Sequence, residues 1–293
     1  MTNRAEAPPI ALFSACLPGW SASQVIEVAL SLGFPAVEWG CGPGHAIERP
    51  ERGAELGQLC ERAGLRSGGL SVQDPEVTLA TPRTAAPHVA LAVALGAPHV
   101  RLLAPPYRGG SLQREQQRVR SGLDFLVDLA APSGIAVLVE TSPMTLAPAP
   151  EFAAALVEQH PPEHAGVLYD PGNMAVEGHL TPALAIARLG GYLRHVHVKN
   201  IAWSHRGEAW HWRHASLANG MLDWRAILDR LALAGYEGTF SIDHLGGAAT
   251  RARLSAESSY LRALMADAFT PAEARIGSAD GDGKGGVRSS VDA

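Results

Sequence analysis

Eight short apolar runs, capped helical patterns between them and a chain of 293 residues predict a single-domain α/β protein, a (β/α)8 TIM barrel. The runs are IALFSA from Ile10, AVEWG from Ala36, LRSGGLSV from Leu65, HVRLL from His99, GIAVLVET from Gly134, GVLYD from Gly166, LRHVHVKN from Leu193 and GTFSID from Gly238. Most lie about 25–37 residues apart, the length of one strand, one helix and two loops. They are rich in Val, Ile and Leu, as strands covered on both faces must be. Eight such units fit the roughly 250 residues that a barrel needs. A doubly wound open sheet is the alternative, but no G-x-G-x-x-G follows the first run.

The helices carry their own punctuation. After the first run, SASQVIEVALSLG starts at a serine and stops at Gly33. TPRTAAPHVALAVALG precedes the fourth run and stops at Gly96. TPALAIARLGG precedes the seventh, with Thr181 at the N-cap position and Pro182 at the first helical position. LDWRAILDRLALAGYEG precedes the eighth, starting at Asp223 and stopping at Gly235. Ser, Thr and Asp accept from the free N–H groups of a first turn, and glycine ends a last one. The gap between the seventh and eighth runs is the longest, so the loop after the seventh is expected to be extended. The barrel is expected over 10–270, after an N-terminal extension over 1–9. Residues 274–293, ARIGSADGDGKGGVRSSVDA, are Gly-, Ser- and Asp-rich with almost nothing apolar, which predicts a disordered tail.

Composition excludes several functions. The net charge is −5, and only two of the 24 basic residues are lysines, Lys199 and Lys284, with no basic run. Nucleic acid is therefore not an expected partner. Cys16, Cys41 and Cys60 show no C-x-x-C spacing, so free thiols in a reducing, cytoplasmic setting are expected. No stretch is apolar for the about 18 residues a membrane span needs, so no membrane role is expected.

The chemistry collects at strand ends, where barrels of this kind place their active sites. The fifth run ends in Glu140, the sixth in Asp170 and the eighth in Asp243, while the seventh carries His197 and Lys199. Three carboxylates and one neutral imidazole on four rigid strands suit a hard or borderline divalent ion. Asp170 before PGN also suits a turn, and Asp243 a helix cap. Glu140 follows a run that should be fully buried, and a buried carboxylate without a partner is costly. In the seventh run, His195, His197 and Lys199 alternate with Val196 and Val198, so the polar three share one face.

These stretches resemble the xylose-isomerase-like barrels, specifically the sugar phosphate isomerase/epimerase group. The resemblance covers about residues 10–265 and rests on SLGFPAVEWG, LGAPHVRLL, VLVET, YDPGN, HVHVKN and ANGMLDWRAILDRLALAGYEGTFSID. It implies that Glu140, Asp170, His197 and Asp243 bind one divalent cation, Mn2+ first, with Mg2+, Co2+ or Zn2+ as alternatives. It also implies that the strand 5 and strand 8 carboxylates, here Glu140 and Asp243, move a substrate proton. The sequence departs from the family at Asn219-Gly220, where the family has Gly-x-Gly, and at three single residues. Asp243 stands where the family usually has Glu, which shortens its reach by about 1.3 Å. Ser142 and Asn173 stand where the family often has His.

His197 is then the expected ligand, and His195, one pleat deeper, is expected to fill the barrel and hydrogen-bond a neighbour. Lys199 is expected at the mouth, holding substrate, or else as a solvated strand end. Substrate contacts are further expected from Arg101, Asn173, Glu38 with His45 at the rim, and the loop NIAWSHRGEAWHWRHASLANG through His205, Arg206 and Trp212. Indole faces stack on rings, and Arg and His bind oxygens. The expected enzyme is a divalent-metal-dependent isomerase or epimerase of a sugar or related polyhydroxy carbonyl compound, with a homodimer as the expected assembly. A dehydratase of the inosose-dehydratase type is the alternative, as is a ligand-binding or tailoring barrel with altered chemistry. A nuclease like endonuclease IV fits poorly, because VEWGCG and LSVQD lack the extra strand-end histidines.

Overall fold

The structure is a computed structural model that describes residues 7–49, 52–178, 181–243 and 250–270. Most of the expected N-terminal extension and the whole expected tail lie outside the described residues. All eight apolar runs form parallel strands: β1 (Ile10–Phe13), β2 (Ala36–Cys41), β3 (Arg66–Val72), β4 (His99–Leu102), β5 (Ala136–Glu140), β6 (Ala165–Tyr169), β7 (Leu193–Val198) and, after an inserted hairpin, β10 (Thr239–Ile242). They close into one barrel in the order β1-β10-β7-β6-β5-β4-β3-β2, which removes every open edge and rules out the open-sheet alternative.

Helices α1 (Ala22–Ser31), α2 (Gly53–Arg62), α3 (Pro82–Ala94), α4 (Leu112–Ala130), α5 (Pro150–Val157), α6 (Pro171–Glu177), α7 (Pro182–Leu189), α8 (Trp224–Leu233) and α9 (Arg251–Ala268) lie between and after the strands. Ser21 caps α1 in a reciprocal box with Gln24, and Asp223 caps α8 by accepting from Ala226 N–H at 3.1 Å. Thr181 makes no side-chain cap, in contrast to the sequence expectation; Pro182 alone marks that start.

Strand alternation separates two environments. Val37, Trp39, Val137, Val139, Val196 and Val198 belong to the large apolar core. Ala136, Leu138 and Leu168 form a separate small apolar cluster. The buried polar residues on the barrel strands are Glu38, Ser71, His99, Arg101, Glu140, His195, His197 and Ser241. These occupy alternate strand positions from the Val and Trp residues, so the barrel interior is largely polar.

The extended loop after β7 is not a loop. It is an antiparallel hairpin of β8 (Asn200–Arg206) and β9 (Ala209–Ala215), paired from Asn200↔Ala215 out to Arg206↔Ala209. A two-residue turn closes it with Gly207 at φ +61°, a conformation that favours glycine. Asn200 anchors its base, donating to the carbonyls of Leu217 (2.9 Å) and Leu222 (3.0 Å).

Candidate metal centre

Register brings the chemistry together. On β10 and β7, Ser241 pairs with His197, and Asp243 N–H donates to Val198 C=O at 3.0 Å. Asp170, at the end of β6, caps α6 by accepting from Asn173 N–H at 2.9 Å, so its expected turn role is real. Its other oxygen, Oδ2, lies 2.7 Å from Lys199 Nζ, and the same ammonium donates to Asp243 Oδ2 at 3.0 Å. One aspartate thus serves both as helix cap and in the polar cluster.

His197 faces two ways. Its Nε2 lies 3.1 Å from both oxygens of Glu38. An ionised carboxylate can only accept, so Nε2 carries a proton, and Nδ1 is the nitrogen whose lone pair an ion would take once its own proton is lost. Nδ1 lies 3.4 Å from Asp243 Oδ2, 3.8 Å from Asp170 Oδ2 and 3.9 Å from Glu140 Oε1. Glu140, Asp170 and His197 present ligating atoms all within 4.8 Å of one another. Among the described residues, His197 Nδ1, Asp170 Oδ2 and Asp243 Oδ1 are buried and make no well-aligned hydrogen bond, despite the ammonium beside Asp170. Buried polar atoms left without a partner call for an explanation, and a bound cation is one that fits a set rich in carboxylates.

The charges point the same way. Among the described residues, the four buried carboxylates of Glu38, Glu140, Asp170 and Asp243 face two permanent cations, Arg101 and Lys199, an excess of two carboxylates. Protons can meet part of that excess. Burial disfavours charge on His197, but the carboxylates of Glu38, Asp170 and Asp243 outweigh it and raise its pKa well above the ordinary value. Burial pushes Glu140 up, against Arg101, which pulls it down. Asp243 goes the other way: burial is overcome by Lys199 and His197, and it stays ionised. Lys199 is held charged by Asp170, Asp243 and Glu140 against the cost of burial.

The structure places the expected substrate contacts differently from one another. Glu38 is not a rim group: it is fully buried and bonded by His195 (3.1 Å), His197 and the Ser71 hydroxyl. Arg101 and Asn173 are committed to Glu140, Arg101 Nε at 3.0 Å from Oε2 and Asn173 Nδ2 donating to Oε1 at 3.0 Å. Lys199 is neither solvated nor at an open mouth; it is buried between two aspartates. His205 and Arg206 lie at the outer end of the hairpin, away from the cluster, while Trp212 packs edge-on against His214 at 5.3 Å. His195 does fill the barrel, 2.8 Å from Ser241 Oγ. Half-buried His45 is depressed by burial and by the Arg101 charge.

Sequence reasoning missed Ser71, Thr141 and Ser241, whereas His214 already stood in the expected loop. Ser71 links Glu38 to Arg101, whose Nε lies 3.1 Å from its hydroxyl. Thr141 Oγ1 accepts from Asp170 N–H at 2.9 Å, and Ser241 supports His195. His214 lies close enough to the cluster to feel Lys199, Asp243 and Asp170. The serines and Thr141 carry no motif, and only their strand parity relative to Glu38, Glu140 and Asp243 could have found them.

No curated protein matches the chain. Solved structures match its fold. A xylose isomerase-like barrel protein from Mycobacterium smegmatis, in complex with magnesium, is 19% identical with TM-score 0.70, covering 92% of this chain and 100% of that one. An L-ribulose 3-epimerase is 17% identical with TM-score 0.70, covering 95% and 100%. The probable 3-DHS dehydratase of Bacillus anthracis is 17% identical with TM-score 0.69, covering 87% and 98%. The profile of one family matches residues 26–264, most of the barrel from α1 to α9. The chain belongs to the xylose isomerase-like TIM barrel family.

Proposed function

We propose that the chain is a divalent-metal-dependent isomerase or epimerase acting on a sugar or related polyhydroxy carbonyl compound. The observation that carries this reading is the buried cluster of Glu140, Asp170, His197 and Asp243, with orphaned polar atoms and more buried carboxylates than permanent cations. Those four residues would hold the ion. A carboxylate-rich set with one imidazole suits Mn2+ first, with Mg2+, Co2+ or Zn2+ as alternatives. Bound there, the ion would polarise the adjacent oxygens of a hydroxy-ketone and acidify the carbon between them.

The chain's own residues supply the rest. Glu140 is fixed by Arg101 on one oxygen and Asn173 on the other, and burial raises its pKa toward the range a general base needs. Asp243 stands on a different strand, with Oδ1 uncommitted. Removal of a proton by one carboxylate and its return by the other, on the opposite face, gives epimerisation. Return to the neighbouring carbon gives isomerisation. Dehydration is the alternative, favoured by one feature: burial shifts the Glu140 pKa upward, which suits a carboxyl that passes a proton to a departing β-hydroxyl. The epimerase and dehydratase among the structural neighbours are consistent with either course.

The test is incubation of Mn2+-loaded protein with ketoses, inososes and hydroxy-keto acids in deuterated water. Deuterium at a carbon next to a carbonyl is expected for at least one substrate. Metal-loaded protein that exchanges none of them would remove the proton-transfer reading.

A further inference from the structure

The hairpin carries an aromatic face that the metal cluster does not use. Side chains alternate across the two strands, so Ile201, Trp203 and His205 share one face with their partners His214, Trp212 and Trp210. Exposure rises along that face. Ile201 is buried, Trp203 and Trp212 are 37% and 43% exposed, and Trp210 is 66% exposed. The rings support one another edge-on, His205 against Trp210 at 5.4 Å and Trp212 against His214 at 5.3 Å. The opposite face carries Ala202, Ser204, Arg206, Arg213 and His211, without a large apolar side chain.

The aromatic face is continuous with the site. At its base, His214 senses the charges of Lys199, Asp243 and Asp170. One step out, Trp203 Nε1 donates to the carbonyl of Ala175 at 3.4 Å, on the helix that Asp170 caps. Successive pairs on one face lie about 7 Å apart, so the ladder extends about 14 Å from base to tip. A single sugar ring held at the metal cluster would reach the base and the first indole pair. The outer pair, Trp210 and His205, would be left without contact.

We propose that the outer half of this ladder is a second subsite, for a further ring attached to the reacting sugar. The substrate class is then a glycoside or other two-ring conjugate rather than a free monosaccharide. This rests on the reading of the barrel as a sugar-transforming enzyme. Indoles stack on the apolar face of a pyranose or an aromatic aglycone, and an edge-supported indole is held flat for that contact.

The test is calorimetric binding of two probes, methyl β-D-glucopyranoside and phenyl β-D-glucopyranoside, to Mn2+-supplemented full-length protein and to Trp210→Ala. The phenyl glucoside is expected to bind about tenfold tighter than the methyl glucoside, and Trp210→Ala is expected to remove most of that preference. Manganese uptake should be the same in both proteins. Equal binding of the two probes, or no heat from either, overturns the subsite. So does a preference that survives in Trp210→Ala. A wild-type dimer that Trp210→Ala converts to monomer, by light scattering, assigns the face to a second copy instead and also overturns it. Because uptake is read separately, loss of the metal centre would appear as absent Mn2+ binding, whatever the glucosides do.

Discussion

Lys199→Met isolates the electrostatics of the cluster. The ammonium is buried, 2.7 Å from Asp170 and 3.0 Å from Asp243. Methionine keeps most of the stem length and removes the charge, so the cavity contribution is small. Two buried carboxylates then lose their partner, and breaking a buried pair costs about 3–5 kcal/mol. At roughly 2 °C per kcal/mol for a chain of this size, the chelator-treated variant should melt about 6–10 °C below wild type. Excess Mn2+ should recover much of that loss, because the ion supplies the missing positive charge. Its affinity should rise by at least about tenfold, since a cation next to the ion has been removed. Calorimetric melting with chelator and with MnCl2, together with titration of the ion, reads all three quantities. A chelator-treated variant that melts within about 2 °C of wild type, or an unchanged affinity, would refute the reasoning.

Three further outcomes are expected. Glu38→Gln places an amide donor against His197 Nε2, so the tautomer that frees Nδ1 is no longer enforced; Mn2+ affinity should fall about 10–100-fold with the fold retained, and circular dichroism with ion titration will show whether the two separate. The raised pKa of His197 means that protons compete with the ion at and below neutral pH, so affinity should climb as pH rises from 6 toward that pKa; a flat profile in the titration would show that His197 binds no proton there. Asp243→Asn should lose about 10²-fold or more in solvent deuterium exchange if Asp243 moves the proton, whereas Asp243→Glu should retain measurable exchange if it is only a ligand; wild-type exchange in Asp243→Asn would leave Glu140 as the base.

The barrel was legible because its strands are buried on both faces, which writes them as dense Val and Leu runs ended by glycines. All eight runs became barrel strands. The hairpin was harder. Its strands are largely exposed, and although tryptophans alternate with Ser, His and Arg in WSHRGEAWHWR, the stretch holds no Val, Ile or Leu to mark a half-buried strand. The R-G-E turn was the signal available. The strand-end residues Glu140, Asp170, His197 and Asp243 could be read from strand position alone, and the structure brings them together. Depth could not. Nothing in VEWG states that Glu38 lies beneath His197 rather than at the rim, because that depends on the stagger between β2 and β7 across the closed barrel. For the same reason Arg101, Asn173 and Lys199 looked like groups that would meet a substrate, when each is spent on a neighbouring carboxylate.

The central claim is that four strand ends hold one divalent ion. Titration of MnCl2 into chelator-treated protein tests it most directly, with wild type beside Glu140→Ala and His197→Ala. One equivalent is expected in wild type, with binding abolished in both variants. Wild-type protein that takes up no ion, or variants that keep full binding, would contradict the account.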